Sequence, residues 1–231
     1  MKTTDARSNT ARNVGVLYII GTVAGILSLV CTGSLLSDPD YLVQIAINKS
    51  QIITGALLVL TMGFALAMVP VLLFPIFKKY NEALALGAVV FRGALEAFSY
   101  IAIVICWFLL LKLSQEYVQA GAPLVSFYQT LGTMILAAVD RIGQIMTIVF
   151  SLGALMIYTL FYLSKLIPQW LSVWGLVGAV LYMAVPLLAM TGLVWEILYA
   201  PLAVQEMVLA LWLIVKGFDS PAATFKSALK K

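Results

Sequence analysis

Apolar residues fall in long runs along this chain, separated by short polar clusters, and the length of the runs carries the first reading. Val14 to Leu36 is about 23 residues, long enough as a helix to cross a hydrocarbon core of about 30 Å. The same length test predicts five further spans, at about 52–77, 83–111, 144–163, 171–190 and 198–215. The polar stretch before the first run, with Lys2, Arg7 and Arg12, has the layout of a secretory leader. The run is too long for one, however, and no small-x-small cleavage site closes it, so it reads as a span. Cys31 follows Leu-Val, without the small residue that lipoprotein processing needs.

Residues 112–143 break the pattern. Ala122-Pro123 restarts the chain, and 124–139 reads as an amphipathic helix carrying Ser126, Gln129 and Thr130. Its apolar length is marginal for a crossing, which predicts a helix lying at the outer membrane interface between spans 3 and 4, with a seventh span as the alternative. Ile167-Pro168 predicts a tight turn between spans 4 and 5, and Asp38-Pro39-Asp40 opens a short outer segment.

Composition agrees with the runs. The chain is 63% hydrophobic and 10% charged, where soluble domains are about a quarter charged, so an ordinary soluble protein is excluded. A net charge of +4, dispersed and without basic clusters interleaved with aromatics, gives no footprint for nucleic acid. Histidine is absent, which excludes a His-ligated metal, a haem held by His and a His general base. Cys31 and Cys106 are too few for a disulfide scaffold or a thiolate zinc site. No cofactor is implied.

The charges inform by position. With the N-terminus inside, the inner segments hold Lys2, Arg7, Arg12, Lys78, Lys79, Lys165, Lys216, Lys226, Lys230 and Lys231, and the outer ones hold only Lys49 and Lys112. That asymmetry predicts both termini on the cytoplasmic side.

Three ionisable residues fall inside predicted spans, where each costs at least about 2.5–3.5 kcal/mol to insert and so calls for a partner or a purpose. Arg92 and Glu96 are four apart on span 3 and share a helix face; Glu206 is on span 6. At 1.5 Å per residue they lie about 14, 20 and 14 Å from the inner ends of their spans, near mid-depth. Spans 3 and 6 are therefore expected to face each other around them. One Arg against two Glu leaves a surplus negative charge, so one Glu is expected to take up a proton or a cation. These three are the candidate ligand- or proton-binding residues. Asp140, Arg141 and Gln144 form a second candidate group at the outer mouth of span 4, where an interface anchor and helix cap is the plainer reading. Glu196, beside Trp195, belongs with the outer loop on the same grounds. Pro70 and Pro75 in span 2 and Pro186 in span 5 interrupt backbone hydrogen bonding and predict bends.

Three passages carry a family resemblance. They are Ala85-Leu86-Gly87-Ala88-Val89-Val90-Phe91-Arg92-Gly93-Ala94-Leu95-Glu96, the turn Leu166-Ile167-Pro168-Gln169-Trp170-Leu171-Ser172-Val173-Trp174-Gly175, and the last span from Gln205-Glu206 through Trp212 to Lys216-Gly217. In order and spacing they resemble the bacterial membrane proteins of domain-of-unknown-function family 4386, over nearly the whole chain. The resemblance implies a compact polytopic protein of a bacterial cytoplasmic membrane and brings no activity with it.

The expected architecture is an all-α bundle of six membrane helices in a single domain, with a polar centre at Arg92, Glu96 and Glu206. The expected function is that of a small transporter or a proton- or ligand-responsive membrane protein. The alternative is a structural or partner-binding subunit, self-associating or joined to another membrane protein, whose charges only hold helices together. An enzyme is the less favoured reading, because no Ser or Cys stands beside an evident base and no metal-ligand spacing occurs. The lipid bilayer is the partner implied throughout, with a proton or small solute at the centre.

Overall fold

The computed structural model describes residues 2–120 and 125–219, with side chains described from Asn9 onward. The Ala122-Pro123 restart and the tail lysines Lys226, Lys230 and Lys231 lie outside the described residues, as do the side chains of Lys2 and Arg7. Apart from short turns and connections, the described residues are helical, without a strand. In order they form α1 (Lys2–Leu36), the short α2 (Tyr41–Ile47), α3 (Lys49–Phe77), α4 (Glu82–Gln119), α5 (Val125–Ser164), α6 (Gln169–Ala189) and α7 (Ala200–Val215). A single 3₁₀ turn, Glu196–Tyr199, leads into α7. Six helices are long and apolar enough to cross a membrane, α7 counting with its 3₁₀ lead-in, and the chain is an integral membrane protein. Large apolar side chains such as Leu29, Val30, Phe98 and Val215 stand exposed on these helices, as suits contact with lipid tails.

Local chemistry explains the breaks. After α3, the Asn81 side chain accepts the Leu84 backbone N–H at 3.0 Å and Glu82 follows in the first turn, so α4 starts on a capped and charge-complemented end. Lys165 takes φ 52 to end α5, and Pro168 precedes the first residue of α6, which is the tight turn expected there. Pro201 sits in the first turn of α7, where a missing N–H costs little. Pro70, Pro75 and Pro186 lie inside their helices.

Two elements differ from the sequence reading. Residues 125–139 are helical, but they run without a break into the next span as one helix of 40 residues. Between 139 and 144 there is no proline, and Gly143 alone does not stop a helix that hydrogen-bonds on both sides of it. At 1.5 Å per residue α5 is about 60 Å long, twice the hydrocarbon thickness, so the amphipathic part is an extension of a span and not a separate interface helix. Glu196 likewise opens the helical turn that leads into the last span.

Within α4 the second finding is a seven-residue π-helical segment, Val89–Leu95, embedded between α-helical stretches. Its wider turns are visible where the Glu96 N–H reaches the Phe91 carbonyl, five residues back.

The chain divides into two compact units. The first comprises residues 2–19, 65–96 and 147–219, and the second 20–64 and 97–146. Neither is one half of the sequence. The second unit has its core in Ile45, Ile52, Ala56, Trp107 and Leu110. There α1 and α3 approach closely at Gly55, whose carbonyl accepts the Ser28 hydroxyl at 2.9 Å and where a Cβ would meet Thr32 Cγ2 at 2.2 Å. Cys31 and Cys106 are both free thiols. The first unit has its core in Val69, Leu73, Ile157, Phe161, Leu171, Leu202 and Leu209, with Phe77 and Phe161 edge to face at 5.0 Å. One indole N–H in each unit, that of Trp107 and that of Trp212, is buried with no acceptor among the described residues.

Candidate functional site

The first unit contains Arg92, Glu96 and Glu206 together. Arg92 comes from the π segment of α4, Glu96 from the first α-helical residue after it, and Glu206 from α7. The Arg92 Nη1 donates to both oxygens of Glu96, and its Nη2 donates to Glu206 Oε1 at 3.2 Å. The expectation that spans 3 and 6 meet through these charges therefore holds in the geometry. Burial is uneven: the side chains of Arg92 and Glu96 are 1% and 2% exposed, and that of Glu206 is 15% exposed.

Several residues the sequence did not single out shape this centre. The Arg92 guanidinium carbon sits 4.3 Å from the centroid of Phe150, on α5, so one face of the cation is covered by a ring. Phe150 in turn leans on Tyr182 of α6, and Tyr182 on Tyr199, with centroids 4.9 and 4.3 Å apart. The Tyr18 side chain, buried on α1, stands within electrostatic reach of Arg92, Glu96 and Glu206. Four of the spanning helices thus converge on one guanidinium.

Close backbone approach makes this possible. At Gly153 on α5, a Cβ would lie 2.7 Å from both Cβ and N of Arg92, so only glycine lets α5 rest against the π segment. Beside the charges runs a neutral strap: the Tyr158 hydroxyl donates to Gln205 Oε1 at 2.6 Å, and Gln205 Nε2 donates to the Leu171 carbonyl at 3.0 Å. A ring at position 158 is accommodated because residue 175 is glycine; a Cβ there would meet it at 2.4 Å. Gln205, adjacent to Glu206 and polar in mid-span, carried a signal in the sequence. Gly153 and Phe150 carried none, since glycine and phenylalanine are common in any membrane helix.

The second group is arranged differently. Arg141 Nη1 donates to Gln144 Oε1 at 2.9 Å, and Asp140 and Arg141 are exposed. They stand in the middle of α5, so they cap no helix start, and they belong to the second compact unit.

Six spanning helices with a buried ion-paired centre define a polytopic helical membrane protein. The chain belongs to the family described as a domain of unknown function, DUF4386, whose model matches residues 14–217. No curated protein and no solved structure matches it.

Proposed function

We propose that the chain is a small transporter or a proton- or ligand-responsive protein of a bacterial cytoplasmic membrane, with both termini on the cytoplasmic side, and that Glu206 is its working carboxylate. The observation that supports this reading is the unequal treatment of the two acids around one cation. Glu96 is sealed against Arg92 through both oxygens, whereas Glu206 meets it through one, at 3.2 Å, and retains 15% of its surface. Two carboxylates on one guanidinium leave a surplus charge, and the more accessible, more loosely held acid is the one that can take a proton or a cationic or polar solute. A wide π turn at the charged residue fits this reading, since such turns recur at functional sites.

A second reading has its own support. Near-complete burial of Arg92 and Glu96, with Gly153 packed on the Arg92 backbone, is what a clamp between helices needs; the working surface would then be one that binds a further copy or another membrane protein.

The test is thermal unfolding and solute uptake of purified protein from about pH 5 to about pH 9, comparing the parent with Glu206→Gln and Arg92→Gln. Glu206→Gln is expected to keep the fold and lose the response to pH or solute. Arg92→Gln leaves a buried carboxylate without its cation and is expected to lose about 3–5 kcal/mol of stability. If the parent shows no such response and both substitutions only destabilise, the clamp is the correct reading.

A further inference from the structure

We infer that the Nε–Nη2 edge of Arg92 is a receptor for a carboxylate that binds together with one proton, the proton going to Glu206. This rests on the reading of Glu206 as the working acid and names the class of ligand it serves.

The guanidinium carries five N–H donors on three nitrogens. Nη1 is taken by Glu96, and Nη2 is held by one Glu206 oxygen at 3.2 Å, longer than the 2.7–2.9 Å typical of a charge-assisted bond. Nε is buried and makes no hydrogen bond of its own among the described residues, while the Tyr18 hydroxyl stands against the guanidinium and Tyr158 and Tyr182 stand within electrostatic reach of Glu206. An unmade bond from a buried cation is expensive, and such a group in a native site asks for an explanation. Nη2 lies on the same side of the guanidinium as the Nε–H, so these two donors point in parallel and form the fork that receives both oxygens of a carboxylate. Glu206 occupies half of that fork with a single oxygen. Phe150 covers one face of the guanidinium, so the in-plane edge beside Glu206 is the direction from which a ligand can be received.

Charge selects the class of ligand. With Arg92 positive and both acids ionised, the centre sums to one negative charge. A proton on Glu206 brings the sum to zero, and an incoming carboxylate returns it to one negative charge. Loaded and empty centres then carry the same charge, so no additional ion is desolvated in the membrane interior. A phosphate dianion would break that balance. Neutral Glu206, released from Nη2, keeps an O–H that can donate to the bound carboxylate. The carboxylate can come from a water-soluble acid or from a long-chain acid dissolved in the bilayer; the chemistry at Arg92 is the same.

The experiment measures the shift in unfolding temperature caused by benzoate and, separately, by laurate, on the purified full chain at several pH values, and converts it to an apparent affinity. One linked proton predicts that affinity weakens about tenfold for each unit of pH rise above the titration of Glu206. In Glu206→Gln, which is neutral at every pH and nearly the same shape, the affinity is expected to become independent of pH. Arg92→Lys keeps the charge but loses the fork, and at least about a tenfold weakening is expected. Should Arg92→Lys fail to fold, the pH profile of Glu206→Gln decides alone. A benzoate response assigns the site to soluble acids, and a response to laurate only assigns it to acids of the bilayer. If neither probe shifts the parent, or the affinity is flat with pH in the parent, the carboxylate receptor is overturned. If in that case Glu206→Gln still abolishes a pH response of the protein itself, Glu206 remains the working acid; if there is none, both readings fall.

Discussion

At the scale of single residues, the centre depends on what surrounds the charges as much as on the charges. Arg92 can sit between two acids because Gly153 gives it backbone room and Phe150 gives it a face to rest on. Gly153→Ala places a methyl group 2.7 Å from the Arg92 backbone, which backbone atoms cannot relieve by rotating. We expect this variant to lose about 1–3 kcal/mol, read as a lower unfolding temperature in detergent, while Gly143→Ala, with open space around its Cβ position, should change little. A Gly153→Ala protein as stable as the parent would show that α5 is not pressed against the π segment. The sequence made Arg92 and Glu96 legible through their spacing of four and Glu206 through the cost of a lone carboxylate in lipid. It could not reveal Gly153, Phe150 or Tyr18, because in a chain that is 63% hydrophobic an aromatic or glycine that packs on a charge looks like one that packs on lipid.

At the scale of elements, length was the readable quantity and local winding was not. The six spans follow from runs of apolar residues, which any helix in hydrocarbon must have. The π winding of Val89–Leu95 has no counterpart in the hydrophobic pattern, which reads the same there as in the α-helix on either side. The union of 125–139 with the following span is hidden in the sequence for a related reason: apolarity falls there as it does at a boundary, although nothing between 139 and 144 stops a helix. A π segment holds more residues per turn than the α-helix around it and can absorb a deletion by tightening. Removing Val90, which is exposed and outside the Arg92–Glu96 pair, is therefore expected to yield a folded protein. Removing Ile105, also exposed but in regular α-helix, turns everything beyond it by about 100° and is expected to abolish folding. Monodispersity on size exclusion and the unfolding temperature separate the two; equal damage from both deletions would contradict the spare winding assigned to the π segment.

At the scale of the molecule, basic residues set the orientation we propose. With Cys31 and Cys106 replaced by alanine, a cysteine at Lys79 should react with an impermeant maleimide only from the cytoplasmic face, and one at Lys112 only from the outer face. Reversed labelling would invert the topology. The two compact units also differ in what they offer an observer. Each contains one indole, Trp107 or Trp212, whose N–H lies buried without an acceptor among the described residues. Unbonded indoles in apolar surroundings emit at short wavelength and shift to the red when water reaches them. Once Trp170, Trp174 and Trp195 are replaced by phenylalanine, and Trp107 or Trp212 in turn, each resulting chain carries a single optical reporter, so that wetting of either unit can be watched by itself without attaching a dye.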